Sequence, residues 1–214
     1  MVHILSDKIS IVNEFLRELR DKDIQKDRAR FRKNIERIGQ VAAYELSKKL
    51  KFGKEFTHSP LGIAQVMTLI DQPIIATILR AGLPLQQGLS HMFDQADLAY
   101  ISAFRKHHTP EDFDIVLEYV ATPNLENRVL ILCDPMVATG KSIVQTYKAL
   151  LEHGKPKNVF IVSVIGSQQG VEYVTSNIPQ AELYIGVVDK DLNKNGYIVP
   201  GLGDAGDLSF GEKE

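Results

Sequence analysis

The chain has 214 residues, 44% of them hydrophobic, enough for one domain with a full core. Its 25 basic and 27 acidic residues leave a net charge of −2, which argues against a nucleic-acid coat or an anchor on acidic lipid. Any anion site must therefore be local, built from a few arginines and backbone donors. The single cysteine, Cys133, forbids an internal disulfide and fits a reducing compartment. Met1 to Arg20 alternate apolar and charged residues, unlike a secretory signal, and no apolar stretch approaches the length of a membrane span. A soluble cytoplasmic protein is the expectation.

Two helices are expected at the start of the chain. Phe31, Ile35, Ile38, Ala42, Leu46 and Leu50 recur at spacings of three and four, which puts them on one helical face. The Arg/Lys/Asp cluster from Arg20 to Arg32 reads as the solvated side of these helices. Lys51 to Pro60 reads as a loop. Short apolar runs follow, predicting strands at Ile74–Leu79, Leu98–Ala103, Asp114–Val120 (half exposed), Val129–Cys133, Asn158–Ile165 and Glu182–Val188. Amphipathic helices fit Ser142–Glu152 and Gln169–Asn177. Near-continuous β-branched runs alternating with helices predict an α/β fold, a mainly parallel central sheet with helices on both faces. Ligands of such sheets bind beyond the carboxyl ends of the strands.

The segment after the fourth predicted strand, VLILCDPMVATGKS (Val129 to Ser142), holds the most chemistry. An apolar strand ends in Asp134, a short loop carries Thr139 and Gly140, and Lys141 and Ser142 open a helix. The first N–H groups of a helix lack intrahelical partners and sit at the positive end of its dipole, which makes an anion site. Small residues at Ala138, Thr139 and Gly140 let a phosphate approach the backbone, and the Thr139 and Ser142 hydroxyls are further donors. Asp134 is placed to accept from sugar hydroxyls. A nucleotide-triphosphate loop would need glycine at position 135, where Pro135 stands. The plain alternative is a turn with Ser142 as a helix cap.

This segment resembles the phosphoribosyl pyrophosphate signature of type I phosphoribosyltransferases, and its Asp134-Pro135-Met136 and Ala138-Thr139-Gly140 resemble the uracil phosphoribosyltransferase branch. Two more segments carry the resemblance. Tyr197 to Asp207, YIVPGLGDAGD, is nearly identical to that branch's uracil-recognition segment, and Ile78-Leu79-Arg80-Ala81-Gly82-Leu83 matches its arginine-bearing loop. The matches run in order from about Phe31 to Gly211. Departures are Lys141 in place of a usual second glycine and Gly166-Ser167-Gln168-Gln169-Gly170 in place of an Ala-Pro-Glu-Gly type segment, with no role assignable to it. The region Phe52 to Ile70 looks short beside members with a β-hairpin arm there, which leaves assembly open.

The resemblance implies one phosphoribosyltransferase domain over 1–214, with a helical part at 1–52 and uracil recognition at 196–211. It implies that Val137 to Ser142 hold the 5′-phosphate, that Pro135 and Met136 belong to the same phosphoribosyl pyrophosphate-binding segment, that Asp134 contacts the ribose, and that Arg80 and Arg105 grip the pyrophosphate. Guanidinium suits that task because it stays charged and donates bidentate hydrogen bonds. Backbone groups of Ile198, Gly203 and Ala205 would read uracil, with Asp204 between the base and phosphoribosyl sites. Asp204 and Arg105 are the expected catalytic residues. Mg²⁺ is implied as the complex of the substrate diphosphate rather than in a protein cage. A homodimer or larger assembly and activation by GTP occur among relatives. Phe104 to Phe113 reads as a flap that excludes water, with His107 and His108 solvated on it. A non-catalytic regulator of RNA on the same fold would show a basic face with stacking aromatics, which the near-neutral charge and absence of tryptophan disfavour.

Overall fold

The computed structural model describes residues 1–107 and 113–212, with residues 103–107 and 113–117 as backbone only. A short strand β1 (Val2–Ile4) precedes helices α1 (Ile11–Arg20) and α2 (Arg28–Ser47). A hairpin of β2 (Phe52–Ser59) and β3 (Gly62–Leu69) follows. Next come β4 (Ile74–Leu79), α3 (Leu83–Ser90), β5 (Asp97–His107), β6 (Phe113–Ala121), β7 (Val129–Cys133) and β8 (Met136–Val137). The remainder is α4 (Lys141–Leu150), β9 (Asn158–Ser167), α5 (Gln168–Asn177), β10 (Ala181–Asp189), the pair β11 (Asp191–Leu192) and β12 (Ile198–Val199), and α6 (Ala205–Phe210).

The main sheet runs β1-β10-β9-β7-β4-β5-β6, with β8 added to β9. All its pairings are parallel except β5 with β6. Successive side chains of a strand point to opposite faces. In β7, Ile131 and Cys133 join one core with Leu19 of α1, Phe31 and Ile35 of α2, and Leu85 and Leu89 of α3. Leu130 and Leu132 join a second core with Val144 and Tyr147 of α4 and Val174 of α5. Both faces are covered, which is why the central strands read as unbroken apolar runs. The expected α/β architecture, mainly parallel with helices on both faces, is therefore the observed one.

The six predicted strands and the two helices predicted among them form: β4 and β7 have the expected bounds, β6, β9, β10 and α5 are longer by a residue or two, β5 runs five residues longer, and α4 is one residue shorter. Phe31, Ile35, Ile38, Ala42 and Leu46 are all buried along α2, whereas Leu50 lies past its end and is half-buried. Strand β1 and helix α3 are additions. The flap expected at Phe104–Phe113 begins and ends as antiparallel strand, since β5 runs to His107 and β6 starts at Phe113; His108 and the rest of that stretch lie outside the described residues. Among the described residues no helix is long and apolar enough to cross a membrane.

The segment read as a loop, Lys51 to Pro60, is instead mostly strand, and the hairpin arm thought to be short is present, pairing Phe52 with Leu69 through to Ser59 with Gly62. Its strands form a separate two-stranded sheet, and Phe56, Leu61, Ile63 and Met67 are exposed on it. Strand β2 is exposed at every position but Gly53, and the half-buried face of β3 alternates with exposed Ile63 and Met67, which are themselves apolar, so no clear polar–apolar alternation arises.

The charged cluster at Arg20 to Arg32 is likewise more than a solvated face. Glu18 is buried, and its carboxylate accepts from Arg30 Nε at 2.8 Å, from Arg30 Nη2, and from Asn34 Nδ2 at 2.7 Å. These bonds tie α1 to α2. The Arg30 guanidinium first, and Asn34 second, outweigh burial and hold the Glu18 carboxyl at about 2, against an ordinary 4.5. A depressed carboxyl contributes stability that is complete above its unfolded value and lost as pH falls through its folded one. Glu18→Gln is therefore expected to lower stability at neutral pH by about 1–3 kcal/mol. Urea denaturation should show the gap to wild type closing between pH 4.5 and about 2.

Candidate functional site

Strands β4 and β7 are parallel neighbours, with Thr77 aligned to Cys133. Beyond β4 the chain passes into α3, on one face of the sheet, and beyond β7 into α4, on the other. Adjacent strands whose continuations diverge to opposite faces leave a crevice past their carboxyl ends. The loops after these two strands are the Asp134–Ser142 and Leu79–Gly82 segments.

In the first loop, Asp134 Oδ1 accepts from the Met136 N–H at 3.1 Å. The Pro135 carbonyl accepts from the N–H groups of Val164 and Ile165 at 3.1 and 3.0 Å, and β8 pairs Met136 and Val137 with Ile165 and Gly166. Gly140 has a φ of 75° and stands at the N-cap of α4 without a side-chain cap bond. A left-handed turn here suits glycine, and it aims the first N–H groups of α4 back over the loop. The Thr139 hydroxyl accepts from the Lys141 N–H at 3.4 Å. Val137, Ala138 and Gly140 are buried; Asp134, Thr139, Lys141 and Ser142 are half-buried at the mouth. Ser142 sits inside the first turn of α4 and is not its cap.

The Gly166–Gly170 segment, whose local pattern carries no recognisable role, is the support beneath this loop. The Ser167 hydroxyl donates to the Ala138 carbonyl at 2.6 Å and accepts from the Gly170 N–H at 2.9 Å, capping α5. A Cβ on Gly170 would lie 2.2 Å from the Ala138 oxygen and 2.5 Å from that of Val137. Only glycine lets the first turn of α5 lie directly on the loop.

The second loop reaches both other parts of the site. The space a Cβ would need at Gly82 is bounded by the Cys133 carbonyl at 3.1 Å, and one at Gly206 would lie 3.8 Å from Ala81 Cβ. Arg80 Nη2 donates to the Gly211 carbonyl at 3.2 Å and lies 3.7 Å from Asp207 Oδ1. Arg80 Nε is buried with no hydrogen-bond partner among the described residues. The three motif segments thus converge.

In the C-terminal segment, Asp204 is exposed and its Oδ1 accepts from the Gly206 and Asp207 N–H groups at 2.8 and 3.0 Å, capping α6. Ile198 and Ala205 are buried, and Gly203 is exposed with a φ of 92°. Beside Gly203 and Asp204, a cleft of about 390 Å³ is bordered by Lys26 and Arg28 from the connection into α2. The segment is anchored by two residues the sequence reading did not single out. Arg20 forms a two-point pair with Asp189, Nη1 to Oδ2 at 2.8 Å and Nη2 to Oδ1 at 2.7 Å. The same pair holds Gly201 at both ends: Arg20 Nη1 donates to its carbonyl at 3.0 Å, and its N–H donates to Asp189 Oδ2 at 2.9 Å. Burial alone would raise the Asp189 carboxyl, but Arg20 and the Gly201 N–H outweigh it and hold it below the usual carboxylate range. Arg20 looked like part of a solvated charge run, and no local pattern links it to a residue 169 positions away.

Arg105 lies on β5 opposite Ile115, and its side chain is outside the described residues, as is that of His107. Cys133 is fully buried, and burial pushes its thiol up to about 12, so it stays protonated and serves the core rather than chemistry. Among the described residues no group of three or more His, Cys, Asp or Glu forms a metal cage. Gly170→Ala is expected to destabilise the protein by about 1–3 kcal/mol through overpacking against backbone, read as a lowered urea midpoint.

The description "Uracil phosphoribosyltransferase" belongs to the family model that matches residues 8–212. A uracil phosphoribosyltransferase of Porphyromonas gingivalis is 48% identical over 205 residues, covering 95% of each chain. One from Methanococcus vannielii is 39% identical over 93% of this chain and 85% of its own length. Among solved structures, the AQ2163 protein from Aquifex aeolicus superposes with a TM-score of 0.88 at 26% identity, over 99% of this chain and 98% of that one. With its three motif segments gathered at one crevice and a family match spanning nearly its whole length, the chain belongs to the uracil phosphoribosyltransferase family.

Proposed function

We propose that this crevice joins uracil to phosphoribosyl pyrophosphate, giving UMP and diphosphate in pyrimidine salvage, and that the three converging segments divide the work. The observation that carries the assignment of roles is their meeting at the carboxyl ends of β4 and β7. The Val137–Ser142 loop takes the 5′-phosphate at the start of α4, where the first N–H groups lack intrahelical partners and the helix dipole is positive. Pro135 and Met136 lead the chain into that loop, and Asp134 accepts from the ribose hydroxyls. Arg80, whose buried Nε awaits an acceptor, grips the diphosphate, and Arg105 does the same from β5.

The new bond forms between uracil N1 and the anomeric carbon as the bond to diphosphate breaks. The electron pair leaves with the diphosphate, whose oxygens, or solvent beyond them, take the proton released from N1. Negative charge grows on the leaving group, so arginines fixed beforehand stabilise the transition state more than the substrate. Backbone groups of Ile198, Gly203 and Ala205 read the base, with Asp204 lying between the two substrates. The hard oxygen donors of Asp134 and Asp204 suit Mg²⁺ entering with the diphosphate and water, without a protein cage. When bound it would neutralise charge on the leaving diphosphate.

The proposal extends to a cytoplasmic homodimer or larger homo-oligomer. The exposed Phe56, Leu61, Ile63 and Met67 of the hairpin arm support association, and the reduced, buried Cys133 is compatible with the cytoplasm. Light scattering on the purified protein tests the first of these. Activation by GTP is carried by family resemblance alone and is tested by adding GTP to the assay.

Purified protein with Mg²⁺, phosphoribosyl pyrophosphate and labelled uracil is expected to form UMP. No UMP, with or without GTP, would sink the proposal. Arg80→Ala is expected to lower kcat/KM by about 10²–10³-fold. Cytosine is expected to react with kcat/KM about 10⁴-fold lower than uracil, because its amino group leaves a donor facing a donor.

A further inference from the structure

The groups that read the base in this proposal are backbone groups, so no side chain of the segment itself fixes where they sit. Something else must hold the segment's path. Val199–Pro200 is followed by Gly201 at a φ of 64°, where a Cβ would fall 2.0 Å from the Ile198 carbonyl oxygen. The chain therefore doubles back tightly between Ile198 and Gly203. At that bend, both backbone hydrogen-bonding groups of Gly201 are taken by one ion pair. Asp189, the last residue of β10, is 8% exposed, and Arg20, the last residue of α1, has its guanidinium between Asp189 and the Gly201 carbonyl. Sheet, N-terminal helix and recognition segment meet at this one cluster.

We propose that Arg20 and Asp189 are positioning residues for base recognition: their pair fixes the bend at Gly201 and thereby the register of the backbone groups that face uracil. The inference rests on the uracil reading given above. Its chemistry requires both partners in these forms. The Asp189 carboxylate accepts from Arg20 and from the Gly201 N–H, while the planar Arg20 fork spans a carboxylate and a carbonyl at once. A lysine is a point charge and cannot reproduce that fork. Neither residue lies in the phosphate loop, so its loss is felt at the base rather than at phosphoribosyl pyrophosphate.

The test is steady-state kinetics of Arg20→Lys, Arg20→Gln and Asp189→Asn, with each substrate varied in turn. The expected result is a KM for uracil raised by about tenfold, equivalent to about 1.4 kcal/mol, with the KM for phosphoribosyl pyrophosphate nearly unchanged. The preference for uracil over cytosine should fall, and Arg20→Lys should recover part of what Arg20→Gln loses. Glu18→Gln, which loosens the same N-terminal helices elsewhere, should leave both KM values as in wild type. Wild-type KM for uracil in the folded variants, an equal rise for both substrates, or the same rise in Glu18→Gln would each overturn the inference. If Asp189→Asn does not fold, Arg20→Lys, which keeps the charge, decides alone. A wild-type protein that makes no UMP overturns the uracil reading itself, and the inference with it; a wild type that makes UMP beside unaffected variants overturns only the inference.

Discussion

Everything in the site depends on one constraint, the parallel adjacency of β4 and β7 with their continuations on opposite faces of the sheet. A sheet covered on both sides must send its connections somewhere, and at this pair they part. The crevice left between them exposes the ends of two strands and the start of α4, where backbone donors are unpaired by the geometry of the helix itself. Arg80 and Asp134 follow the last residues of these strands, so two rigid elements set the relation between them.

A site made largely of backbone depends on whatever lies behind that backbone. Ser167 and Gly170 press from beneath the Val137–Gly140 loop, one by a hydrogen bond and the other by having no side chain. Arg20 and Asp189 hold the bend before Gly203. These four residues come from four elements, β9, α5, α1 and β10, none of which carries a recognised substrate motif. In the proposed reading their effect is preorganisation: the donors are held in place before any ligand arrives, and the cost of ordering them is met during folding.

Two of the three places where the chain was set apart from the family pattern, Lys141 and the hairpin, differ in what the structure shows. Lys141 opens α4 at the mouth of the loop, so it adds positive charge beside an expected phosphate without disturbing the turn at Gly140. The hairpin arm, in contrast, is present at Phe52–Ser59 and Gly62–Leu69, where the sequence reads as a loop and a short region. Its eight-residue strands pair along their whole length and expose apolar side chains.

The sequence by itself determined the central strands, the amphipathic helices and the loop chemistry. Apolar runs such as Ile74–Leu79 and Val129–Cys133 can be satisfied only by burial on both faces, and a Thr-Gly pair between strand and helix has few local conformations. The motif order also identified the family. Tertiary structure alone decided the rest. The hairpin could not be read because its strands carry no clear polar–apolar alternation. Arg20 could not be distinguished from its solvated neighbours because its partners, Asp189 and Gly201, are contributed by distant strands and turns. The support role of Gly170 was equally hidden, since what demands glycine there is a carbonyl 32 positions earlier in the chain, held 2.2 Å from where a Cβ would stand, beside the pairing of β8 with β9. Local patterns encode what a segment does with its own backbone and with water; contacts between remote segments are encoded only in the fold that brings them together.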